Sequence, residues 1–551
     1  MILNGSQILA EVLIENGVDT VFGYPGGAVL NIYDALYEYK DKITHYMTAH
    51  EQGAAHAADG YARATGKCGV VIATSGPGAT NLVTGIATAY MDSIPMVAIT
   101  GNVSTDLIGK DSFQEVYISG ITMPITKHNF TVRKIDELAD TLRHAFEIAQ
   151  SGRPGPVLVD IPKDISGAKT EYTPKAPKAK EIVSNTFDAE KIASVINESQ
   201  RPVAYIGGGV KISEAEAEVL EFLKKANIPA VHTIMAAGVL RYDEPNNIGL
   251  VGMHGNYVSN KAIDGADLVI AIGTRFSDRV ALKPDHFAPK AKIIHIDIDK
   301  SEIKKNVNVD FSVISDVKAA LEKITPLVKY SERSEWFEKI AKWQEIVPVL
   351  KDGGEDLKPE FIIKTICKEV GEDATFVTDV GQHQMWAAQY INHTSSRKFL
   401  TSGGLGTMGY GYGAALGAYL GNPNSKVIHL TGDGSFHMNM NEACTAVSYN
   451  IPVISIIFNN SVLGMVRQWQ KVFYGQRYSS SEPERVTDYA KVAEGFGAKG
   501  FSCSTKKEFE NALKEALASG KPCWIECKID REEKVLPMIP AGKSVDNIIV
   551  N

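Results

Sequence analysis

A chain of 551 residues, 44% hydrophobic and 22% charged, is long enough for several domains that each bury a core. Its net charge of −8 and pI near 6.0 lack the basic footprint of a nucleic-acid or anionic-membrane binder. No stretch reaches the roughly 20 apolar residues of a membrane span, and six scattered cysteines demand no oxidising compartment, so a cytoplasmic location is expected.

The opening segment, MILNGSQILAEVLIENG, sets Glu11 and Glu15 within an apolar pattern and reads as an amphipathic helix, not a signal peptide. A first block, residues 1–165, alternates strands with helices. Residues 44–48, 69–74, 96–100 and 157–161 read as strands, and helices start at residues 51–52 and near Gly78. Residues 170–180 (TEYTPKAPKAK) have linker composition. A second block, 185–345, places strands at 202–206, 268–272 and 292–298, the first two ending in Gly207-Gly208-Gly209 and Gly273. A break at 351–358 (KDGGEDLK) precedes the third block, 360–551. Near its end Cys523 and Cys527 sit four apart in a strand-like run, where core packing competes with a metal site and is favoured. The expected fold class is α/β, three doubly wound parallel-sheet domains.

In the third block, residues 426–431 (KVIHLT) and 452–458 (PVISIIF) read as buried strands, with helical character at 441–449 between them. Such a βαβ unit makes its strands parallel and neighbouring. Asp433 and Asn460 therefore fall just past the carboxyl ends of their strands, where open α/β sheets bind ligands. A carboxylate and an amide oxygen suit a Mg²⁺ ion that keeps phosphates among its ligands. Gly432 and Gly434 let a diphosphate approach the backbone at a helix N-terminus. A lone Gly-Asp-Gly is usually only a tight turn; Asn459-Asn460 closing the next strand favours the metal–diphosphate reading.

This pattern resembles the signature of thiamine diphosphate enzymes, which need an acid against the cofactor's aminopyrimidine ring. Glu51 is the candidate: it opens a helix of small residues (EQGAAHAADGYARATG) after a short strand, where shielding from water would raise its pKa. Taken alone, a Glu at a helix start is only a favourable dipole interaction.

The chain further resembles the catalytic subunits of biosynthetic acetohydroxyacid (acetolactate) synthases nearly end to end. The carriers are Gly23-Tyr-Pro-Gly-Gly27, the run from His50 to Arg63, Thr74-Ser-Gly-Pro-Gly-Ala-Thr-Asn81, Phe113-Gln-Glu-Val116, Thr126-Lys-His-Asn129, Gly381-Gln-His-Gln-Met-Trp386, Gly403-Gly-Leu-Gly-Thr-Met408 and Gly464-Met-Val-Arg-Gln-Trp-Gln470. The resemblance implies the fold of thiamine diphosphate-dependent decarboxylases and carboligases. It implies decarboxylation of pyruvate and ligation of the two-carbon fragment to a second 2-ketoacid, pyruvate or 2-ketobutyrate, in branched-chain amino-acid biosynthesis. It assigns Mg²⁺ to Asp433, Asn460 and Val462. Thiamine diphosphate falls to Pro25, Gly26, Gly381, Gln382, His383, Gly406, Met408, Gly432, Gly434, Ser435 and Met465, with Met408 as an apolar wedge beneath the cofactor.

Around the substrate the resemblance places Gln114 beside the thiazolium, and Phe113 and Val466 at the pocket. Trp469 shapes the second-substrate site toward 2-ketobutyrate, Arg279 binds its carboxylate and Lys163 stands near the channel mouth. Each has a plainer account: packing for Phe113, Met408 and Trp469, an ion pair with Asp278 for Arg279, a solvated loop for Lys163. The 13 histidines include no adjacent pair of the kind pyruvate decarboxylases carry.

For the middle block, Gly207, Gly208 and Gly209 follow a strand and Asp297 ends another, as in dinucleotide sites, although related domains also occur empty. The resemblance assigns structural FAD to these with Arg153, Thr233, His254, Gly273, Arg275 and Asp278. Ser277 departs from the family's second aspartate before Asp278. A homodimer or homotetramer is implied, with Glu51 of one chain serving the diphosphate domain of another, and a small regulatory subunit as an additional partner. The rivals are a pyruvate oxidase-like flavoenzyme, disfavoured by Trp469 and Gln114, and a silent scaffold subunit, disfavoured by intact Glu51, Asp433 and Asn460.

Overall fold

A computed structural model describes residues 1–178, 182–346 and 354–550. The residues divide into two compact units, one of 1–181, 373–383 and 400–529, the other of 182–372, 384–399 and 530–551.

The N-terminal residues begin as a strand, not a helix. β1 (Ile2–Asn4) pairs antiparallel with β8 (Lys169–Glu171), so part of the expected linker is ordered. The helix Gly5–Glu15 follows, closed by a capping box between Asn4 and Gln7. Within the same unit, β2 (Thr20–Tyr24), β3 (Thr44–Met47), β4 (Gly69–Ala73), β5 (Met96–Asn102), β6 (His128–Thr131) and β7 (Pro156–Pro162) form a parallel sheet in the order β3-β2-β4-β5-β7-β6. Residues 179–180 of the linker and 351–353 of the second break lie outside the described residues.

In the other unit, β9 (Pro202–Ile206), β10 (Ala230–His232), β11 (Asn247–Leu250), β12 (Leu268–Ile272), β13 (Lys292–Asp297) and β14 (Phe311–Ile314) order as β11-β10-β9-β12-β13-β14. The third sheet returns to the first unit. It comprises β15 (Thr375–Thr378), β16 (Phe399–Thr401), β17 (Val427–Gly432), β18 (Ile454–Asn459), β19 (Lys499–Cys503) and β20 (Cys523–Lys528), ordered β16-β15-β17-β18-β20-β19. Counted within each sheet, the first and third share the order 2-1-3-4-6-5, whereas the middle sheet has 3-2-1-4-5-6, the arrangement of dinucleotide-binding folds.

Parallel strands covered on both faces must be apolar on both, and Val70, Val71, Ile72 and Val269, Ile270, Ala271 are buried without a break. In the unit holding the first and third sheets, the Glu51–Thr65 helix packs on the Gly411–Gly421 helix through small residues. A Cβ on Gly417 would lie 1.9 Å from the Ala57 carbonyl oxygen, so only glycine permits this approach. The six cysteines are free thiols; Cys503 and Cys527 face each other in register on β19 and β20, and only Cys444 is exposed. Among the described residues no helix is long and apolar enough to cross a membrane.

Candidate active site

Each sheet reverses its strand order at its first strand, and that reversal opens a crevice at the carboxyl ends. The crevices lie between β2 and β4, between β9 and β12, and between β15 and β17. Glycine-rich turns flank all three: Gly26, then Gly207 with Gly273, then Gly381 with Gly432.

At the third sheet β17 and β18 are parallel neighbours, as the βαβ reading requires. β17 ends at Gly432, and Asp433 opens the helix Asp433–Asn439, an element the sequence reading had not separated from the later helix Ala443–Ser448. Burial pushes the Asp433 carboxyl up to about 6, opposed in part by the Gly434 N–H and the charge of Arg485. Asn459 donates to Glu526 at 2.6 Å and is thereby committed elsewhere. Asn460 turns toward the neighbouring turns: its amide donates to Gln382 Oε1 at 3.2 Å, and its Oδ1 accepts the Val462 N–H at 3.2 Å. Ser435 Oγ accepts the Gly409 N–H at 3.0 Å, which ties the Gly406–Met408 turn to the Asp433 helix. A Cβ on Gly434 would lie 2.7 Å from Leu463 Cδ2 and 3.9 Å from Met408 Cε, so a side chain there would push on Leu463 in this corner. Trp469 is half-buried edge-on to Phe473, Met465 half-buried and Val466 exposed, all on the helix Gly464–Phe473.

At the first sheet, Glu51 is the first residue of its helix, after a His50 cap whose Nδ1 accepts the Gln52 N–H at 3.1 Å. The Glu51 side chain is 9% exposed, and Asn81 Nδ2 donates to it at 2.9 Å. The turn after β4 brings Gln114 close: a Cβ on Gly76 would lie 2.8 Å from the Gln114 carbonyl, and one on Gly78 3.2 Å from Glu51 Oε1. Gln114 has a left-handed φ of +58°, uncommon for a side chain of its size. Gly26 abuts Thr74 across the crevice, beside half-buried Pro25. Phe113 is 87% exposed, so the packing alternative for it fails within the chain.

Two contributors here were not singled out from sequence. Asn81 closed a quoted motif without a role. Glu442 accepts the N–H groups of Ala49 and His50, each at 3.1 Å, and so fixes the approach to Glu51 from the third sheet's side of the same unit. Burial raises the Glu442 carboxyl above its ordinary value.

In the other unit, Gly207 and Gly209 press against Gly273, whose carbonyl would be 2.1 Å from a Cβ on Gly207; Gly208 stands between them. Asp297 closes β13 and accepts the Asp299 N–H at 2.8 Å. Arg275 is half-buried. Asp278 and Arg279 form an exposed ion pair at 3.7 Å, the plainer alternative for Arg279, and such pairs contribute only about 0–1 kcal/mol. Arg153 lies in the first unit, its Nε donating to Ser93 Oγ at 2.8 Å. Lys163 follows β7, which stops at Pro162, and opens a one-turn helix with its side chain exposed, not the solvated loop of the plainer account.

Three descriptions match the chain in order. They are the N-terminal TPP binding domain of thiamine pyrophosphate enzymes at residues 3–121, the central domain at 189–324 and the C-terminal TPP binding domain at 379–527. The "Probable acetolactate synthase large subunit" of Methanocaldococcus jannaschii is 44% identical over 99% of this chain and 95% of its own length. The "Acetolactate synthase" of Mycobacterium bovis is 44% identical over 99% and 91%, and the "Acetolactate synthase large subunit" of Porphyra purpurea 43% over 98% and 94%. The chain belongs to the acetolactate synthase large-subunit family of thiamine pyrophosphate enzymes.

The residues of this acetolactate synthase family member fit thiamine diphosphate. His383 is fully buried and held neutral, its pKa pushed down to about 4 by burial, yet its Nε2 has no hydrogen-bond partner among the described residues. The His383 ring lies where a Cβ on Gly381 or Gly432 would be, 2.8 and 2.9 Å away, beside the β15–β17 crevice. A buried polar atom without a partner is rare enough to call for a ligand. At the middle sheet buried Thr233 Oγ1 and His254 Nδ1 likewise have no hydrogen-bond partner among the described residues. Among the described residues no group of three or more His, Cys, Asp or Glu gathers as metal ligands.

Proposed function

We propose that the chain is an acetolactate synthase catalytic subunit. It decarboxylates pyruvate and joins the two-carbon fragment to a second 2-ketoacid, giving 2-acetolactate from pyruvate and 2-aceto-2-hydroxybutyrate from 2-ketobutyrate, as branched-chain amino-acid synthesis requires. The observation that carries this reading is the 42–44% identity to acetolactate synthases over 98–99% of the chain. When bound, thiamine diphosphate supplies the electron sink that lets carbon dioxide leave.

The chain's own residues hold and shield that chemistry. Asp433, Asn460 and the Val462 carbonyl would hold Mg²⁺, and Gly432, Gly434, Ser435, Gly381, Gln382 and His383 the diphosphate. Met408, Gly406 and Met465 would shape the cofactor, with Pro25 and Gly26 contributed at the first sheet. Glu51 keeps a carboxyl out of water to exchange a proton with the aminopyrimidine, and Asn81 fixes its orientation. Phe113, Gln114, Val466 and Trp469 would line a pocket of apolar and amide groups that offers few protons to a carbanionic fragment. Arg279, whose one ion pair is exposed, would bind a ketoacid carboxylate, and Lys163 incoming anions.

Structural FAD on Gly207–Gly209, Thr233, His254, Gly273, Arg275, Asp278, Asp297 and Arg153 is supported by the middle sheet's strand order and by two buried atoms, Thr233 Oγ1 and His254 Nδ1, without a hydrogen-bond partner among the described residues. Exposed Phe113, Tyr117 and Met123 (87%, 73% and 62%) support a homodimer or homotetramer in which a second copy covers them. The relatives' designation as large subunits supports a small regulatory partner.

The test is acetolactate formation by purified protein with thiamine diphosphate and Mg²⁺, without an electron acceptor. Pyruvate alone should give 2-acetolactate, added 2-ketobutyrate the second product, and Glu51→Gln should remove most activity. Absence of carboligation in the wild type would end this reading.

A further inference from the structure

The segment from Thr401 to Gly409, which carries Gly406 and Met408, is bolted to a helix of the first sheet, Val83–Asp92. The Asp92 carboxylate accepts two consecutive backbone N–H groups, Gly403 at 3.1 Å and Gly404 at 2.7 Å. It also takes Arg63 Nη2 at 2.8 Å, and both side chains are almost wholly buried. The same guanidinium donates to Asp59 at 2.6 Å and to the Thr401 carbonyl at 2.9 Å, while Tyr410 donates to Asp59 at 2.7 Å. One turn earlier on the helix, Thr88 Oγ1 meets Thr407 Oγ1 at 2.7 Å. A Cβ on Gly404 would lie 2.7 Å from Asp92 Oδ1, so the backbone is drawn onto the carboxylate as closely as glycine allows.

We propose that Asp92 is a positioning residue, which sets the height of the glycine-rich segment over the Val83–Asp92 helix and thereby the placement of Met408. The proposal rests on the reading of Met408 as the wedge beneath the cofactor. An ionised carboxylate only accepts hydrogen bonds and has room for three donors at once. Asparagine in its place would turn an NH₂ toward one of the glycine N–H groups, donor against donor. A pair needed only for cohesion could be replaced by apolar packing at little cost; three donors converging on one carboxylate, two of them adjacent backbone amides, fix a height and an angle. Thr88 then prevents the far end of the segment from pivoting.

The decisive experiment is a double-mutant cycle between Asp92→Asn and Met408→Ala in the holoenzyme, read in kcat and in the pyruvate KM, with hydrogen exchange of residues 401–408. Asp92→Asn should lower kcat by about 30-fold or more, with KM within about 3-fold, because a displacement near 1 Å of a positioning group costs on this order. Exchange at 401–408 should rise while β17 and the Gly411–Gly421 helix stay protected. In the Met408→Ala background the added cost of Asp92→Asn should fall to about 3-fold or less, since coupled sites are not additive. If Asp92→Asn does not fold, Thr88→Val removes a single hydroxyl and carries the same cycle with a smaller effect in the same direction. An Asp92 effect of equal size in both backgrounds, or unchanged exchange at 401–408, overturns the positioning role alone. Met408→Ala with wild-type kcat overturns the wedge reading and the proposal with it.

Discussion

Two aspartates at the same sheet edge show how differently burial can be used. Asp379 follows β15 and Asp433 follows β17, on neighbouring strands, and the two are 1% and 4% exposed. Burial alone would raise both. Asp379 is instead held below the usual carboxylate range, because His429 Nε2 at 3.2 Å, Thr431 Oγ1 at 2.7 Å and the Gly411 N–H at 2.6 Å more than offset the desolvation. Asp433 has no comparable set, and its carboxyl stands near 6. The first is a finished internal joint. The second is an electrostatic deficit that a cation would repair.

That contrast can be broken most decisively at Asp433. Asp433→Ala should abolish Mg²⁺-dependent cofactor binding, with an activity loss beyond the roughly 10–100-fold typical of outer-shell partners. The thermal midpoint of the metal-free protein should stay the same or rise. A large fall in that midpoint, with cofactor affinity retained, would contradict the distinction. Asp379→Asn should do the reverse, destabilising the fold by about 1–3 kcal/mol near neutral pH, because the amide it introduces leaves buried donors such as the Gly411 N–H or Thr431 Oγ1 without their acceptor. The sign follows from linkage. A folded-state pKa below the unfolded value stabilises fully above the unfolded value, near 4, and that stabilisation fades as pH falls toward the folded value. Urea unfolding of wild type and Asp379→Asn should therefore converge between about pH 4 and pH 2; a gap independent of pH would remove the charge from the explanation.

The smallest effect is expected away from both aspartates. Trp469→Leu should shift the ratio of 2-ketobutyrate to pyruvate product by no more than about 1–3 kcal/mol, the reach of one apolar contact, measured by competition between the two acceptors.

The placement of Asp433 and Asn460 just past neighbouring strands was legible because its signal is local: two apolar runs, a glycine turn and an amide pair lie between residues 426 and 460. The same holds for Glu51, whose small-residue helix announces close packing that Gly417 and Ala57 then confirm. Contacts between distant segments were not legible. Nothing in the run around Glu442 signals that it accepts the N–H groups of Ala49 and His50, almost 400 residues earlier, and Asp92 meets Gly403 across a gap of 311. Local propensity also missed the N-terminal strand, because three residues with an edge partner at Lys169–Glu171 leave no periodicity to detect. The strand read at 157–161 is extended by one residue at each end, Pro156 and Pro162, which pair with Met96 and Asn102 although neither proline has a β-branched side chain to signal it.

The distribution of thiols has a practical corollary. With Cys503 and Cys527 sealed on facing strands and the Cys503 thiol pushed up to about 12 by burial, these two resist alkylation. Cys444 is the exposed thiol, two residues beyond Glu442. A thiol-reactive fluorophore would therefore settle mainly at the junction that steadies Glu51, giving an optical reporter there without an engineered cysteine.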